Sequence, residues 1–194
     1  DHWSGSFYPE GMQSSDFLSF YVRRFNTVEI NNSFYQLPSK KTLKTWREQS
    51  PENFVFALKA SRYITHMKKL KDPKQSVSRF FDTISIFGKK TGPILFQLPP
   101  SWKVNHQRLS VFLDSLDNSH RYTFEFRDET WFDDRIYEVL AEKNAAFCIY
   151  EISGRKSPEK ITADFVYIRL HGPSRNAYEG SYSKQRLQSW AKKI

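Results

Sequence analysis

Cysteine, glycine and long apolar runs are all scarce in this chain of 194 residues. The one cysteine, Cys148, excludes an intramolecular disulfide, and its apolar surroundings favour a small core residue over a nucleophile. Seven glycines are too few for a phosphate-binding fingerprint. No apolar run is long enough to cross a bilayer and no signal-peptide pattern stands at the start, so we expect a cytoplasmic protein without membrane association.

Positive charge is in excess, but it is spread along the chain. Thirty lysines and arginines against 21 acidic residues give a formal net charge of +9, which can attract nucleic acid or phosphorylated ligands. Most of the basic residues lie in helical segments without a nucleic-acid motif, which favours a solvated cationic exterior and makes nucleic acid a possible but not a favoured partner. The basic cluster at 62–71 is the exception, because it directly follows a strand.

Several segments alternate polar and apolar residues with period two, the pattern of a half-buried strand. They lie at 27–31, 54–59, 94–98, 123–127 and 166–171. Strand side chains alternate between the two faces, so one face is almost wholly apolar and the other collects polar groups. The members of this polar face are Glu29, Asn31, Lys59, Gln97, Glu125, Arg127, Arg169 and His171. Buried charges cost several kcal/mol unless they are paired or used, so this face is the predicted seat of function.

The strands alternate with helical patterns, which predicts a parallel α/β domain. We expect helices over 14–24, 40–49, 77–87, 107–116, 133–142 and 183–193, a sixth strand over 146–152, and loops over 60–72 and 153–160. A doubly wound sheet would bury both strand faces, whereas a TIM-barrel-like (β/α) barrel explains one polar face as its lumen. Eight strands and about 250 residues are typical of such barrels, so we expect the first and last strands to be lacking from a single domain over 1–194.

Several motifs together resemble the YecE-like family (domain of unknown function 72). They lie, in the family's order, at 3–9, 25–31 with 34–35, 59–62 with 64–66, 92–100 (Gly-Pro-Ile-Leu-Phe-Gln-Leu-Pro-Pro), 124–127 with 131, and 162–167 with 169–172. The resemblance spans essentially the whole chain and implies a TIM-barrel-like fold. The family opens with a glycine-rich strand before the tryptophan and closes with a further strand and helix, and neither is seen here. It has no settled activity, so it implies architecture and not function.

The polar set predicts an acid–base site at the strand C-terminal ends, where such barrels place their active sites. Three cations beside two carboxylates suggest a small anionic or sugar-like ligand, clamped by Arg127 and Arg169. Glu29 or Glu125 would be the base and His171, near neutral pH, the acid. The remaining ligand-binding candidates are Asn31, Lys59, His66, Gln97 and Tyr178.

Three alternatives accompany this enzyme hypothesis. The charged set could be a structural ion-pair lattice within the barrel, which is compatible with a site. The protein could be a non-catalytic module that binds nucleic acid or a phosphorylated ligand at a basic mouth, in which case binding would weaken steeply with salt. It could also be a metal-dependent isomerase-like or nuclease-like barrel, but the neighbouring cations would repel a metal held by Glu29, Glu125, His171 or His66. We assign no metal or cofactor, and the sequence does not predict an oligomeric state.

Overall fold

The computed structural model describes residues 3–176 and 178–194. Within these ranges the strands are β1 (Thr27–Ile30), β2 (Val55–Lys59), β3 (Thr91–Gln97), β4 (Tyr122–Glu125), β5 (Ala146–Ile152), β6 (Arg155–Lys156) and β7 (Tyr167–Leu170). The α-helices are α1 (Phe17–Tyr21), α2 (Asn32–Tyr35), α3 (Lys40–Gln49), α4 (Pro73–Ile84), α5 (His106–Asp114), α6 (Asp134–Glu142) and α7 (Lys184–Ala191). None of these helices combines the length and the apolar character that a membrane crossing requires.

Six of the strands form one parallel sheet in the order β1-β2-β3-β4-β5-β7. The register sets Glu29 beside Ala57, Gln97 beside Glu125, and Tyr150 beside Arg169. The sheet curls into a half-barrel, so that side chains of β1 and β7 touch across its concave side. The architecture is therefore an incomplete TIM-barrel-like fold, as the alternation of strands and helices predicts.

The hydrophobic core lies between the convex face of the sheet and the helices. Phe56 and Phe96 point outward from neighbouring strands, and Phe56 stacks on Phe87 at 4.4 Å between ring centroids. Phe126 stacks in the same way on Trp131. Burial of such aromatic side chains supplies much of the driving force for folding, because each removes a large apolar area from water.

Three local features differ from the sequence predictions. The helix expected at 77–87 begins at Pro73, because proline is well suited to a first helical turn. The loop expected before it contains a π-helical turn over Tyr63–Met67. The loop expected at 153–160 contains β6, because Ser153 (φ 52°) and Gly154 (φ 73°) form a tight turn that folds the chain back antiparallel on β5.

The predicted helix at 14–24 is also shorter than expected. It is a 3₁₀ turn over Ser14–Asp16 followed by α1, which ends at Tyr21. Aromatic packing holds this segment, because Tyr8 stacks on Phe17 at 4.1 Å between ring centroids. Helical hydrogen bonding is therefore a smaller part of its stability than the spacing of its apolar residues suggests.

Candidate functional site

Arg169 is the centre of the polar network on the concave face. Its Nη1 donates to Glu125 Oε2 at 2.7 Å, and its Nη2 donates to Glu29 Oε1 at 2.6 Å. Longer contacts run from the same guanidinium to Gln97 Oε1 at 3.5 Å and Asn31 Oδ1 at 3.4 Å. One arginine thus joins four of the predicted site residues, which come from three other strand ends.

Glu125 is fully buried and has guanidinium partners at both carboxylate oxygens. Its Oε1 forms an ion pair with Arg127 Nε and its Oε2 with Arg169 Nη1. Burial raises the pKa of this carboxyl, but the positive charges of Arg169 and Arg127 outweigh burial and leave the pKa below its usual value. The Cys148 thiol lies 3.8 Å from Glu125 Oε2, and burial raises its pKa well above the usual value, so it is a core thiol, as its apolar surroundings predict.

Tyr167 belongs to the network, although it is absent from the candidates selected by sequence. Its hydroxyl donates to Glu29 Oε2 at 2.7 Å. Burial and the charge of Glu29 raise the pKa of this phenol, so it is a neutral hydrogen-bond donor. Strand parity could have identified Tyr167, because it lies two residues before Arg169 and therefore on the same face of β7.

A second arm of the network leads from Arg127 to the mouth of the half-barrel. Arg127 Nη2 lies 3.1 Å from His171 Nε2, and its guanidinium packs over the ring of Tyr150 at 4.8 Å. The imidazole of His171 in turn meets the ring of Tyr178 edge-on, with 5.3 Å between centroids. Because a guanidinium only donates hydrogen bonds, Nε2 of His171 must be the acceptor and carry no proton.

The pKa of His171 bears on the role that the sequence suggests for it. Burial, aided by the positive charge of Arg169, lowers this pKa to about 4. The imidazole is therefore neutral at pH 7, with its Nε2 lone pair directed at Arg127. This arrangement suits a residue that positions Arg127 and argues against the acid proposed for His171 on the basis of an ordinary histidine pKa.

Lys59 lies at the end of β2 and forms no ion pair with a carboxylate among the described residues. Its Nζ sits 4.2 Å from the centroid of the Phe34 ring, and the side chain is half-buried. Burial and the positive charge of Arg169 lower its pKa to about 8. Lys59 therefore titrates close to physiological pH, which is unusual for a lysine.

His66 lies beside Lys59 in the π-helical turn. Its ring packs edge-on against Phe34 at 5.0 Å, and its Nδ1 lies 2.9 Å from the hydroxyl of Thr65. Burial and the charge of Lys59 lower the pKa of the imidazole. The residue is thus held near the mouth by packing and a local hydrogen bond, apart from the ion pairs around Arg169.

A cavity of about 600 Å³ opens at the C-terminal ends of β3, β4 and β5. Three of the predicted residues, Gln97, Arg127 and Tyr178, line it. Its remaining lining residues are Pro100, Glu129, Phe132, Tyr150, Ile152, Ser153, Arg155, Lys156 and Arg175. The volume falls in the range of sites for small organic ligands.

Three cations at this cavity are absent from the candidates selected by sequence. Arg155 and Lys156 are brought there by the hairpin turn after β5, and Arg175 by the loop after β7. The signal for the first two was present, since Ser153-Gly154 between a strand and a polar pair is typical of a two-residue hairpin. Arg175 had no such signal, because its loop has no regular period.

The charged groups of the concave face do not form a cation site in the part of the chain that the structure describes. No group of three or more histidine, cysteine, aspartate or glutamate side chains has the arrangement needed to hold a metal ion within 3–176 and 178–194. The two carboxylates at the centre are each bound to guanidinium groups. The arrangement therefore presents cations at the cavity, and beside it a lysine whose pKa is lowered to about 8.

The chain is similar to several known proteins. It is 33% identical over 116 residues to the UPF0759 protein YecE of Escherichia coli strain K12, an alignment that covers 59% of this chain and 43% of that protein. It is 23% identical over 221 residues to the UPF0759 protein YunF of Bacillus subtilis strain 168, covering 97% of this chain and 78% of that protein. The chain thus spans less than half the length of the E. coli relative that it matches.

Solved structures agree with these sequence relatives. A crystal structure of a DUF72 family protein from Thermotoga maritima superposes with a TM-score of 0.82 at 27% identity, covering 98% of this chain and 80% of that one. A DUF72 family protein from Enterococcus faecalis shares the fold, with a TM-score of 0.73 at 18% identity over 92% of this chain and 80% of that one. The model of the family described as "Protein of unknown function DUF72" matches residues 1–194, and the chain therefore belongs to the DUF72 family, as its motifs predict.

Proposed function

We propose that this protein binds a small anionic ligand, such as a carboxylated or phosphorylated sugar, in the cavity at the strand C-terminal ends and carries out acid–base chemistry on it. One observation carries the proposal. The cavity is lined by four cations and one carboxylate, so its positive charge is not neutralised from within. The cations are Arg127, Arg155, Lys156 and Arg175, and the carboxylate is Glu129.

Arg127 is the group best placed to hold the anion. Its guanidinium forms an ion pair with Glu125, packs over the ring of Tyr150 and has Nη2 3.1 Å from His171 Nε2, and these contacts hold it at the cavity wall. Arg127 Nη1 forms no hydrogen bond with another described residue, and the side chain lines the cavity. A guanidinium that is already oriented loses little further freedom when it binds a carboxylate or phosphate.

We assign the remaining roles differently from the sequence hypothesis. Arg169 is occupied by two carboxylates, so it positions them and does not itself grip the ligand. Glu125 is a weak candidate for the base, because it is fully buried and both of its oxygens have guanidinium partners. Both oxygens of Glu29 also accept hydrogen bonds, from Arg169 and Tyr167, and Glu29 lies outside the lining of the cavity. It retains 20% side-chain exposure, so of these two carboxylates it is our candidate for the base.

Aromatic and amide groups around the cavity suit a ligand that also carries hydroxyls. The rings of Phe132, Tyr150 and Tyr178 supply flat apolar faces, and the Gln97 amide can both donate and accept hydrogen bonds. Apolar walls with a few polar groups are typical of sites for small molecules. A sugar acid or sugar phosphate offers the matching combination of one anionic end and several hydroxyls.

Thermal-shift measurements with a panel of sugar acids and sugar phosphates test the proposal. A ligand that binds the folded state must raise the melting temperature, and Arg127→Ala should abolish that rise. Arg135→Ala is the matched control, because it removes the same charge from an exposed position on α6. Oligonucleotide binding that weakens steeply with salt, without any small-molecule shift, would instead favour the non-catalytic module.

A further inference from the structure

The cavity at the strand C-terminal ends has cations at two depths. Arg127 retains only 11% side-chain exposure, and its guanidinium lies 4.8 Å from the centre of the Tyr150 ring. The other three cations of the lining are exposed to solvent, and we call them the outer cations: Arg155, Lys156 and Arg175. The positive charge of the cavity is therefore divided between a largely buried inner position and an outer position.

Strand β5 separates these two positions along one wall of the cavity. Tyr150 and Ile152 both line the cavity, and Ile152 lies two residues farther along the strand, which is about 7 Å in extended backbone. The ring of Tyr150 marks the level of the inner guanidinium. Arg155 is the antiparallel partner of Ile152, and Lys156 is the partner of Glu151, so both cations emerge from the outer end of this wall. A ligand that contacts both positions must therefore be elongated.

Hydrogen bonds hold the hairpin that carries two of the outer cations. The Tyr150 N–H donates to the Ser157 hydroxyl at 2.8 Å, and the Ser157 N–H donates to the Tyr150 carbonyl oxygen at 2.9 Å. Ser157 is buried, and its hydroxyl donates in turn to the carbonyl oxygen of Pro158 at 3.2 Å. The backbone of the hairpin is thus fixed to the same residue that packs on the inner guanidinium. Cations on such a fixed backbone lose less conformational entropy when they bind a ligand.

The loop after β7 carries the third outer cation and is closed at its base. The Tyr178 N–H donates to the His171 carbonyl oxygen at 2.6 Å, which brings two distant points of the loop together. At Gly172, where φ is 97°, an added Cβ would lie 2.5 Å from the Glu179 carbonyl oxygen, so this close approach requires glycine. The closed loop places Arg175 at the same cavity as the hairpin.

The two positions differ in how much of their charge the protein neutralises. The inner guanidinium of Arg127 already forms an ion pair with Glu125. In the part of the chain that the structure describes, no ion pair joins an outer cation to a carboxylate. A carboxylate with a single charge suits the inner guanidinium, whereas a phosphate, with about 1.5 to 2 negative charges at pH 7, suits three cations.

We propose that the ligand of this cavity carries two anionic groups, a carboxylate held by Arg127 at the inner position and a phosphate held by the outer cations. This inference rests on the proposed function and narrows its ligand to phosphorylated sugar acids. The rings of Phe132 and Tyr150 and the Gln97 amide line the same cavity and suit the hydroxylated carbon chain that joins the two groups. The outer cations are then the residues that distinguish a sugar acid from its phosphorylated form.

Isothermal titration calorimetry of the whole protein with three related probes tests the proposal. Gluconate carries the carboxylate alone, glucose 6-phosphate carries the phosphate alone, and 6-phosphogluconate carries both. We expect 6-phosphogluconate to bind at least about tenfold more tightly than either of the other two, because it contacts both positions. A dissociation constant for 6-phosphogluconate no lower than that of the better singly substituted probe would overturn the proposal.

Two variants assign each anionic group to its position in the cavity. Arg155→Gln with Lys156→Gln should weaken the binding of both phosphorylated probes by about tenfold and leave that of gluconate unchanged, whereas Arg127→Ala should weaken both probes that carry a carboxylate. Lys41→Gln with Lys44→Gln is the matched control, because it removes two charges from exposed positions on α3. Equal losses in the hairpin variant and the control would mean that the outer cations act only through net charge, contrary to the proposal.

The same titrations distinguish a failure of this inference from a failure of the proposed function. If gluconate or glucose 6-phosphate binds and Arg127→Ala abolishes that binding, but 6-phosphogluconate binds no more tightly, the ligand with two anionic groups is excluded and the anion site stands. Tight binding of 6-phosphogluconate that the hairpin variant leaves unchanged would refute the assignment of the phosphate to the outer cations. If none of the three probes binds, the inference fails, and the wider panel of thermal-shift ligands decides whether the anion site fails with it.

Discussion

Arg169 Nη2 donates to Glu29 Oε1 at 2.6 Å, and this contact joins the two edge strands of the half-barrel across its concave side. The same guanidinium holds Glu125, which is fully buried. The main role of Arg169 is therefore structural, because it links the carboxylates of Glu29 and Glu125. This differs from the sequence prediction, in which Arg169 clamps the ligand together with Arg127.

Arg169→Ala is expected to lower the free energy of unfolding by about 3–5 kcal/mol, because it leaves the buried Glu125 carboxylate with one partner fewer. Urea denaturation monitored by circular dichroism measures the change. The double variant Arg169→Met with Glu125→Gln should recover part of the loss, since the uncompensated charge is removed as well. A loss below about 1 kcal/mol for the single variant would contradict the role of bridge.

Tyr167→Phe is expected to lower the free energy of unfolding by about 1–2 kcal/mol, because the hydroxyl donates to a charged carboxylate in a partly buried place. The ring remains, so that packing is preserved. Tyr35→Phe serves as the control, since Tyr35 is 75% exposed and should tolerate the same change without effect. Equal effects of the two substitutions would argue against the Tyr167–Glu29 hydrogen bond.

Acid should destabilise the protein in a window set by His171. Its pKa is about 4 in the folded protein and near the ordinary value of 6.5 in the unfolded chain, so the unfolded chain binds more protons between these values. Stability is then fully present above about pH 6.5 and falls as the pH drops toward 4. His171→Gln should flatten this part of the curve, whereas the lowered pKa of Glu125 adds its own loss below about 4.5. Melting temperatures of the wild type and of His171→Gln, measured across this pH range, test the prediction.

Lys59→Met is expected to raise the stability at pH 7 by about 1 kcal/mol after allowing for solvent screening, because burial and neighbouring cations disfavour the charged amine. In the wild type, the unfolded chain holds the proton more tightly, so stability should rise with pH between about 8 and 10.5. The variant should lack this rise. A destabilised variant would mean that the ammonium has favourable contacts in the folded state.

Gly154→Ala tests the link between the hairpin and the cavity. Gly154 has φ 73°, where alanine is strained, so we expect a loss of about 1 kcal/mol in stability. The turn also places Arg155 and Lys156 at the cavity, so that the affinity for an anionic ligand should fall as well. Titration of any ligand found by thermal shift measures the second effect. Unchanged affinity in a destabilised variant would show that these two cations do not contact the ligand.

The alternation of strand side chains between the two faces of the sheet predicted much of the fold and the location of the polar groups. It placed Glu29, Glu125 and Arg169 on one face, because period-two alternation depends only on the local chain. The same rule would have included Tyr167, which was overlooked because tyrosine also suits an apolar face. This alternation does not specify which side-chain atoms form hydrogen bonds and ion pairs with one another, because that depends on how strongly the sheet curls.

The environment of Lys59 illustrates what the sequence could not provide. In sequence, Glu29 and Glu125 are candidates to neutralise any of the cations. The structure assigns their oxygens to Arg127, Arg169 and Tyr167, and leaves Lys59 against an aromatic ring. Which cation pairs with which carboxylate oxygen depends on distances in the folded structure, and the sequence does not contain them. Arg175 was missed for a related reason, because its loop lacks the periodicity on which such predictions depend.

The order of folding follows from the bridge between β1 and β7. Glu29 and Arg169 are 140 positions apart, so the entropy of closing so long a loop opposes their contact until the intervening strands have paired. During synthesis from the N-terminus, Glu29 emerges well before Arg169, so the two side chains cannot pair until β7 has been made. The contact between β1 and β7 then forms only after the strands between them have paired, so the charge pairs of the concave face are completed late in folding.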